Sequence, residues 1–158
     1  MPYIKYVLTP EWGNAELKKP EGERHPLLHW YRKVCHSQRA QKRTSQDEIY
    51  EALIIGAVRA YLGLAYDLYL CAHNATLPEL LLTRLRNPRT FEGALYEAYI
   101  ISRLAIAGFQ IELEDEGDSN RSHCELVATH RQTGRRFSVE AKAIASTNKR
   151  AGTSAKPY

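Results

Sequence analysis

Cysteine is scarce and its pattern is sparse. The chain of 158 residues holds three, Cys35, Cys71 and Cys124, with no C-x-x-C pair. An odd number at long spacing excludes a disulfide framework and fits free thiols in a reducing, cytoplasmic setting. His25/His29 and Cys71/His73 do not form the closer-knit set of four ligands that a tetrahedral zinc site needs. The chain also lacks a glycine-rich phosphate loop, a G-x-S-x-G turn, a usable Ser-His-Asp order and any internal repeat. Those absences argue against P-loop nucleotide chemistry, serine hydrolysis and solenoid folds. The opening MPYIKYVLTPEW has no basic segment followed by an apolar one, so it does not read as a signal peptide. A clean membrane span is missing too. Residues 52–72, ALIIGAVRAYLGLAYDLYLCA, are long enough, but they carry Arg59 and Asp67. Each charge costs about 2.5–3.5 kcal/mol near a bilayer centre. A buried helix away from any membrane is the expectation.

What is present suits one domain, or one domain with a helical extension. Hydrophobic residues make up 44% and charged residues 25%, enough for a packed core. The net charge of +4 and a pI near 9.0 are compatible with a polyanionic partner without arguing for one.

Along the chain, residues 1–25 hold Pro2, Pro10, Gly13, Pro20 and Gly22 and read as an extended, irregular arm. Residues 26–86 read as a helical region. Pro26 suits a first helical turn, and Arg32, Arg39 and Arg43 fall on one stripe. Ser45 to Glu48 has a capping-box pattern before a helix that runs to about Ala72. A short helix, LPELLLTRLR, ends before Asn87-Pro88. Residues 88–145 change character. RTFEGALYEAYIISRLAIAGF has helical spacing and a stopping glycine, Gly108. Phe109, Ile111 and Leu113 then alternate with polar residues as a half-buried strand, and CELVATHR and RRFSVEAKA are two further strands. Residues 146–158 read as a flexible basic tail. The predicted class is α+β.

FSVEAKA, residues 137–143, sets the functional question, because it places a glutamate and a lysine two residues apart in an apolar run. In a strand, Phe137, Val139, Ala141 and Ala143 face one way, inward, and Ser138, Glu140 and Lys142 the other. Paired as a hairpin with CELVATHR through a loop of even length, this strand sets Glu125 opposite Lys142 and Val127 opposite Glu140. A loop of odd length turns Glu125 away. Two carboxylates beside an ammonium suit a hard divalent cation and a phosphate ester. The same E-x-K is also common as a cross-strand ion pair on a solvated face.

The order of these segments resembles the PD-(D/E)xK nuclease superfamily, whose fold is called restriction-endonuclease-like. YEAYIISRLAIAGF is similar to the first helix of archaeal Holliday-junction resolvases within it. The resemblance spans residues 90–144 and implies a core of one helix followed by a three-stranded sheet, behind an N-terminal helical region. It implies Mg²⁺- or Mn²⁺-dependent endonucleolytic cleavage of DNA. Glu97 matches the helical glutamate, Glu125 the aspartate of the first motif, and Glu140 and Lys142 the E-x-K. The three carboxylates are the implied metal ligands and Lys142 the water-orienting group. Two features depart from the pattern. His123-Cys124-Glu125 has no proline and a glutamate for the aspartate, which reaches one methylene further. The sixteen residues after the E-x-K strand, 143–158, suit neither the helix nor the strand that normally follow. Either the chain is a fragment, or its N-terminal helices cover the sheet. A bare sheet edge invites a second copy, so a homodimer is also expected.

Arg131, Arg135 and Arg136 at the hairpin, and Arg39 and Arg43 on the N-terminal stripe, are the candidate DNA-backbone contacts. Glu92 is the competing helical carboxylate, five residues before Glu97 and so on another side of the helix. The competing function is a non-catalytic relative that binds nucleic acid or protein.

Overall fold

The computed structural model describes residues 4–41, 56–74, 79–113 and 126–142. Within them, the segment read as an extended arm is helical: α1 spans Ile4–Val7, α2 Pro10–Leu17, and a 3₁₀ turn Glu21–Glu23. The prolines initiate structure here. Thr9 is the N-cap of α2, its hydroxyl accepting from the Trp12 N–H at 3.3 Å, and Pro10 fills the first turn, where its missing N–H costs nothing. Ile4 and Val7 are buried in the main core, so this segment belongs to the packed body.

Three long helices form the middle of the molecule: α3 (Pro26–Gln41), α4 (Gly56–Asn74) and α6 (Phe91–Ile106), with the short α5 (Glu79–Arg86) beside α6. On α4, Val58, Tyr61, Leu64, Ala65, Leu68 and Cys71 are buried, which places one face against α3 and another against α6. Small residues on α6, Ala94 and Ala98, let α4 approach closely, and the Cys71 thiol donates to the Ala98 carbonyl at 3.5 Å. Leu81, Leu82 and Leu85 anchor α5, together contributing on the order of 5–8 kcal/mol of burial before the entropy of ordering is set against it. Among the described residues no helix is long and apolar enough to cross a membrane.

A turn at Gly108 carries the chain from α6 into the sheet. Its φ of +86° lies in the region that favours glycine. Strands β1 (Phe109–Leu113), β2 (Leu126–His130) and β3 (Arg136–Val139) form an antiparallel sheet in that order. Ile111, Leu126 and Ala128 are buried on the face that α6 covers. The architecture is therefore α+β, with one helix followed by an antiparallel meander at its C-terminal end.

The hairpin between β2 and β3 corrects the predicted register. Its connection, 131–134, is even in length, and the His130 N–H donates to the Arg135 carbonyl at 2.8 Å. Val127 pairs with Ser138 and Leu126 with Val139, a two-residue shift from the predicted pairing of Val127 with Glu140. The turn supplies the reason. Gly134, with φ +67°, closes the turn through its N–H to the His130 carbonyl at 2.9 Å, drawing Arg131 out of the strand. Phe137 shares a face with Ala128, as the alternation requires, yet it remains 48% exposed. It sits on β3, an edge strand of the sheet, and its ring meets Phe109 edge-on at 6.0 Å.

Candidate active site

The predicted site draws on α6, the start of β2 and the end of β3. Glu97 lies on α6 and is buried, 5% exposed. Its carboxylate forms an ion pair with the Arg84 guanidinium of α5. That pairing is what allows a charge at this depth, since an uncompensated one costs several kcal/mol. Glu92, the competing carboxylate, is exposed one and a half turns earlier. Of the two glutamates, Glu97 is the one that faces inward.

Glu140 and Lys142 follow directly after β3 and form an ion pair of 2.8 Å, with side chains 52% and 74% exposed. The pair lies on solvated surface. On the same strand, Arg136 reaches the Glu112 carboxylate of β1 at 3.1 Å, so the outward face of the sheet carries mixed charge. Glu125 lies outside the described residues. Among the described residues, no group of three His, Cys, Asp or Glu side chains converges to hold a metal ion. The donor chemistry still suits a hard cation in part. Glu140 offers an exposed carboxylate that it would share between a cation and Lys142, and Glu97 would have to share its buried oxygens between a cation and Arg84.

The candidate DNA contacts divide by position. Arg131 and Arg135 are exposed at the hairpin tip, and Arg136 is exposed and paired with Glu112. Arg39 is exposed in the last turn of α3. Arg32, on the same stripe, pairs with Glu21 at 2.9 Å on the exposed surface. Arg43 lies outside the described residues.

Two polar features of this region have no local sequence signature. Arg84 is thirteen residues from Glu97, a spacing that nothing in the chain singles out. A second buried network joins α4 to α6: the Ser102 hydroxyl lies 2.6 Å from the Asp67 carboxylate, and Arg103 donates to that carboxylate at 2.9 Å. Asp67 interrupts the apolar run that would otherwise resemble a membrane span, and this interhelical contact is its role. Burial, with the nearby Asp67 and Glu97 carboxylates adding to it, pushes the Cys71 thiol up to about 12, so it is not a nucleophile at neutral pH.

No protein-family model matches the chain, and no curated protein or solved structure matches it.

Proposed function

We propose that this chain carries the nuclease-like core of a divalent-metal-dependent DNA endonuclease. The observation that carries the reading is an order of elements. A helix with an inward glutamate, Glu97, leads into a three-stranded antiparallel meander, and Glu140 and Lys142 stand side by side where the third strand ends. The even length of loop 131–134 supports it as well, because that parity keeps Val127, Ser138 and the residues at even steps from them on one face.

In this reading Glu97, Glu125 and Glu140 would hold Mg²⁺ or Mn²⁺, which supplies charge neutralisation at a scissile phosphate and an acidified water. Lys142 keeps a positive charge beside Glu140. From there it can donate to a phosphoryl oxygen or orient a water for in-line attack. Arg131, Arg135 and Arg136 track the phosphate backbone, and Arg39 and Arg43 extend that contact. β3, an edge strand of the described sheet, offers an edge on which a second copy would pair. The free thiols Cys35 and Cys71 suit a reducing, cytoplasmic setting.

A second reading is favoured by the ion pairs themselves. Glu97 with Arg84, and Glu140 with Lys142, are neutralised without a metal, as in a fold that binds nucleic acid or protein without cutting. Cleavage of plasmid and branched DNA with Mg²⁺ or Mn²⁺, beside Lys142→Ala and Glu140→Ala, separates the two. Metal-dependent cleavage lost in both variants is expected for the nuclease. DNA retention without cleavage, together with no metal binding by calorimetry, overturns it in favour of the binding module.

A further inference from the structure

We infer that His25 is an acid-sensitive latch: its neutral ring caps α3 and locks the segment 4–24 onto α6, and protonation releases that lock. His25 immediately precedes α3 and acts as its N-cap. Its carbonyl accepts from the Leu28 N–H at 3.0 Å, and its ring Nδ1 accepts from the Leu27 N–H at 3.1 Å. With Nδ1 accepting, the proton of the neutral ring sits on Nε2, which is buried and has no hydrogen-bond partner among the described residues. The side chain is fully buried between two aromatic rings, Trp12 of α2 at 5.3 Å and Phe91 of α6 at 4.7 Å, both edge-on. Trp30 of α3 closes the box against Phe91 at 5.4 Å. One residue thus joins the N-terminal segment, α3 and α6.

Protonation acts on this box in three ways that reinforce one another. Nδ1 becomes a donor facing the Leu27 N–H, so the cap is lost. A positive charge appears at the positive end of α3. That charge is also shut away from water among rings. The charged groups facing the ring are Glu16 and Lys19, both from α2 and its C-terminal end, while α6 presents only the apolar Phe91. A Glu16 oxygen accepts from the His25 backbone N–H at 3.0 Å and its other oxygen holds Lys19. Burial pushes the Glu16 carboxyl up, but Lys19 and the His25 N–H outweigh it, so Glu16 stays ionised as His25 titrates. Glu16 favours the imidazolium and Lys19 opposes it. Burial is the largest influence, and the ring is held below its ordinary 6.5. The unfolded chain therefore takes up the proton more readily. The latch is whole above pH ~6.5 and weakens as pH falls below it, by up to about tenfold in the closed-to-open ratio per pH unit.

The chain carries its own reporters, because its two tryptophans, Trp12 and Trp30, both line the box. The test follows tryptophan fluorescence and acrylamide quenching of the full chain between pH 7.5 and 5, with far-UV circular dichroism alongside. His25→Asn is the comparison, since asparagine keeps a capping acceptor and does not titrate. The wild type is expected to gain tryptophan quenching below pH 6.5 while most helical signal remains, and His25→Asn to stay flat. Equal acid responses in both proteins, or loss of all helical signal in one step with the fluorescence change, overturn the latch. If His25→Asn does not fold, the ring ¹⁵N shifts of wild-type His25 decide: a ring neutral well below pH 6.5 supports the inference, and one that titrates at or above 6.5 refutes it.

Discussion

Replacing Arg84 with methionine isolates the pair that holds Glu97 in the interior. Methionine keeps the length and apolar body of the side chain and removes the charge. The Glu97 side chain is 6% exposed and that of Arg84 27%, so the two changes to the pair are not equivalent. Stripping the guanidinium leaves a carboxylate in a dry site, which costs about 3–5 kcal/mol when one member of a buried pair is removed. The carboxylate has an escape by taking a proton. From an ordinary value near 4.3, that costs about 3.7 kcal/mol at pH 7, which caps the penalty. The partial exposure of Arg84 lets water reach the gap, so about 3 kcal/mol is the expected loss. For a chain of this size that is a fall in Tm of roughly 6–12 °C. Glu97→Gln is expected to cost only about 1 kcal/mol, because the Arg84 guanidinium already touches solvent. Urea denaturation at pH 7 measures both, and Arg84→Lys should recover part of the loss. The deficit of Arg84→Met should narrow as pH falls towards 5, since protonating Glu97 removes the buried charge that the guanidinium no longer offsets. A methionine variant no less stable than the glutamine one, or a deficit independent of pH, would refute this account of how Glu97 is buried.

Gly108→Ala should cost about 1–2 kcal/mol, a purely conformational penalty, because the φ of +86° is strained for alanine while no atom lies within 4 Å of the added methyl. Gly63→Ala, in open space on the exposed side of α4, should instead stabilise by about 0.5–1 kcal/mol, and thermal melts of the two variants check both signs. Cys71, 2% exposed with its thiol pushed up to about 12, should resist alkylation in the folded protein at pH 8 and react on unfolding, as peptide mass mapping would show. Lys142→Ala and Glu140→Ala should each change stability by less than about 1 kcal/mol, since their pair is exposed, so that any loss of DNA cleavage in them reports chemistry and not folding.

The periodicity of residues 91–113 reveals their structure because each signal there is local. The helix is marked by apolar spacing, its end by Gly108, and the strand by the alternation of Phe109, Ile111 and Leu113. The N-terminal segment misleads for the opposite reason. Its prolines and glycines punctuate short helices, and what holds those helices is distant: Ile4 and Val7 pack into a core built from residues far along the chain. Of the candidate site, the two-residue spacing of Glu140 and Lys142 brings them together, although both lie just beyond the strand, which ends at Val139. The inward direction of Glu97 is not read from helical spacing, because its choice rests on the resemblance and on its interval to Gly108. The hairpin register does not follow from spacing either, because it depends on where the turn closes, and Gly134 draws one more residue into the loop than the strand pattern suggests. Arg84 could not be paired with Glu97 in advance, since contact between neighbouring helices depends on how α5 lies against α6.

The Arg86 guanidinium donates to the Val7 carbonyl at 3.2 Å, a bond between groups 79 positions apart. A ribosome adds about 5–20 residues each second. Val7 therefore leaves the exit tunnel several seconds before Arg86 does, roughly 4–16 s by that rate. Through that interval the apolar side chains of Ile4 and Val7 have no α5 to pack against, so this segment gains its packing only once α5 follows.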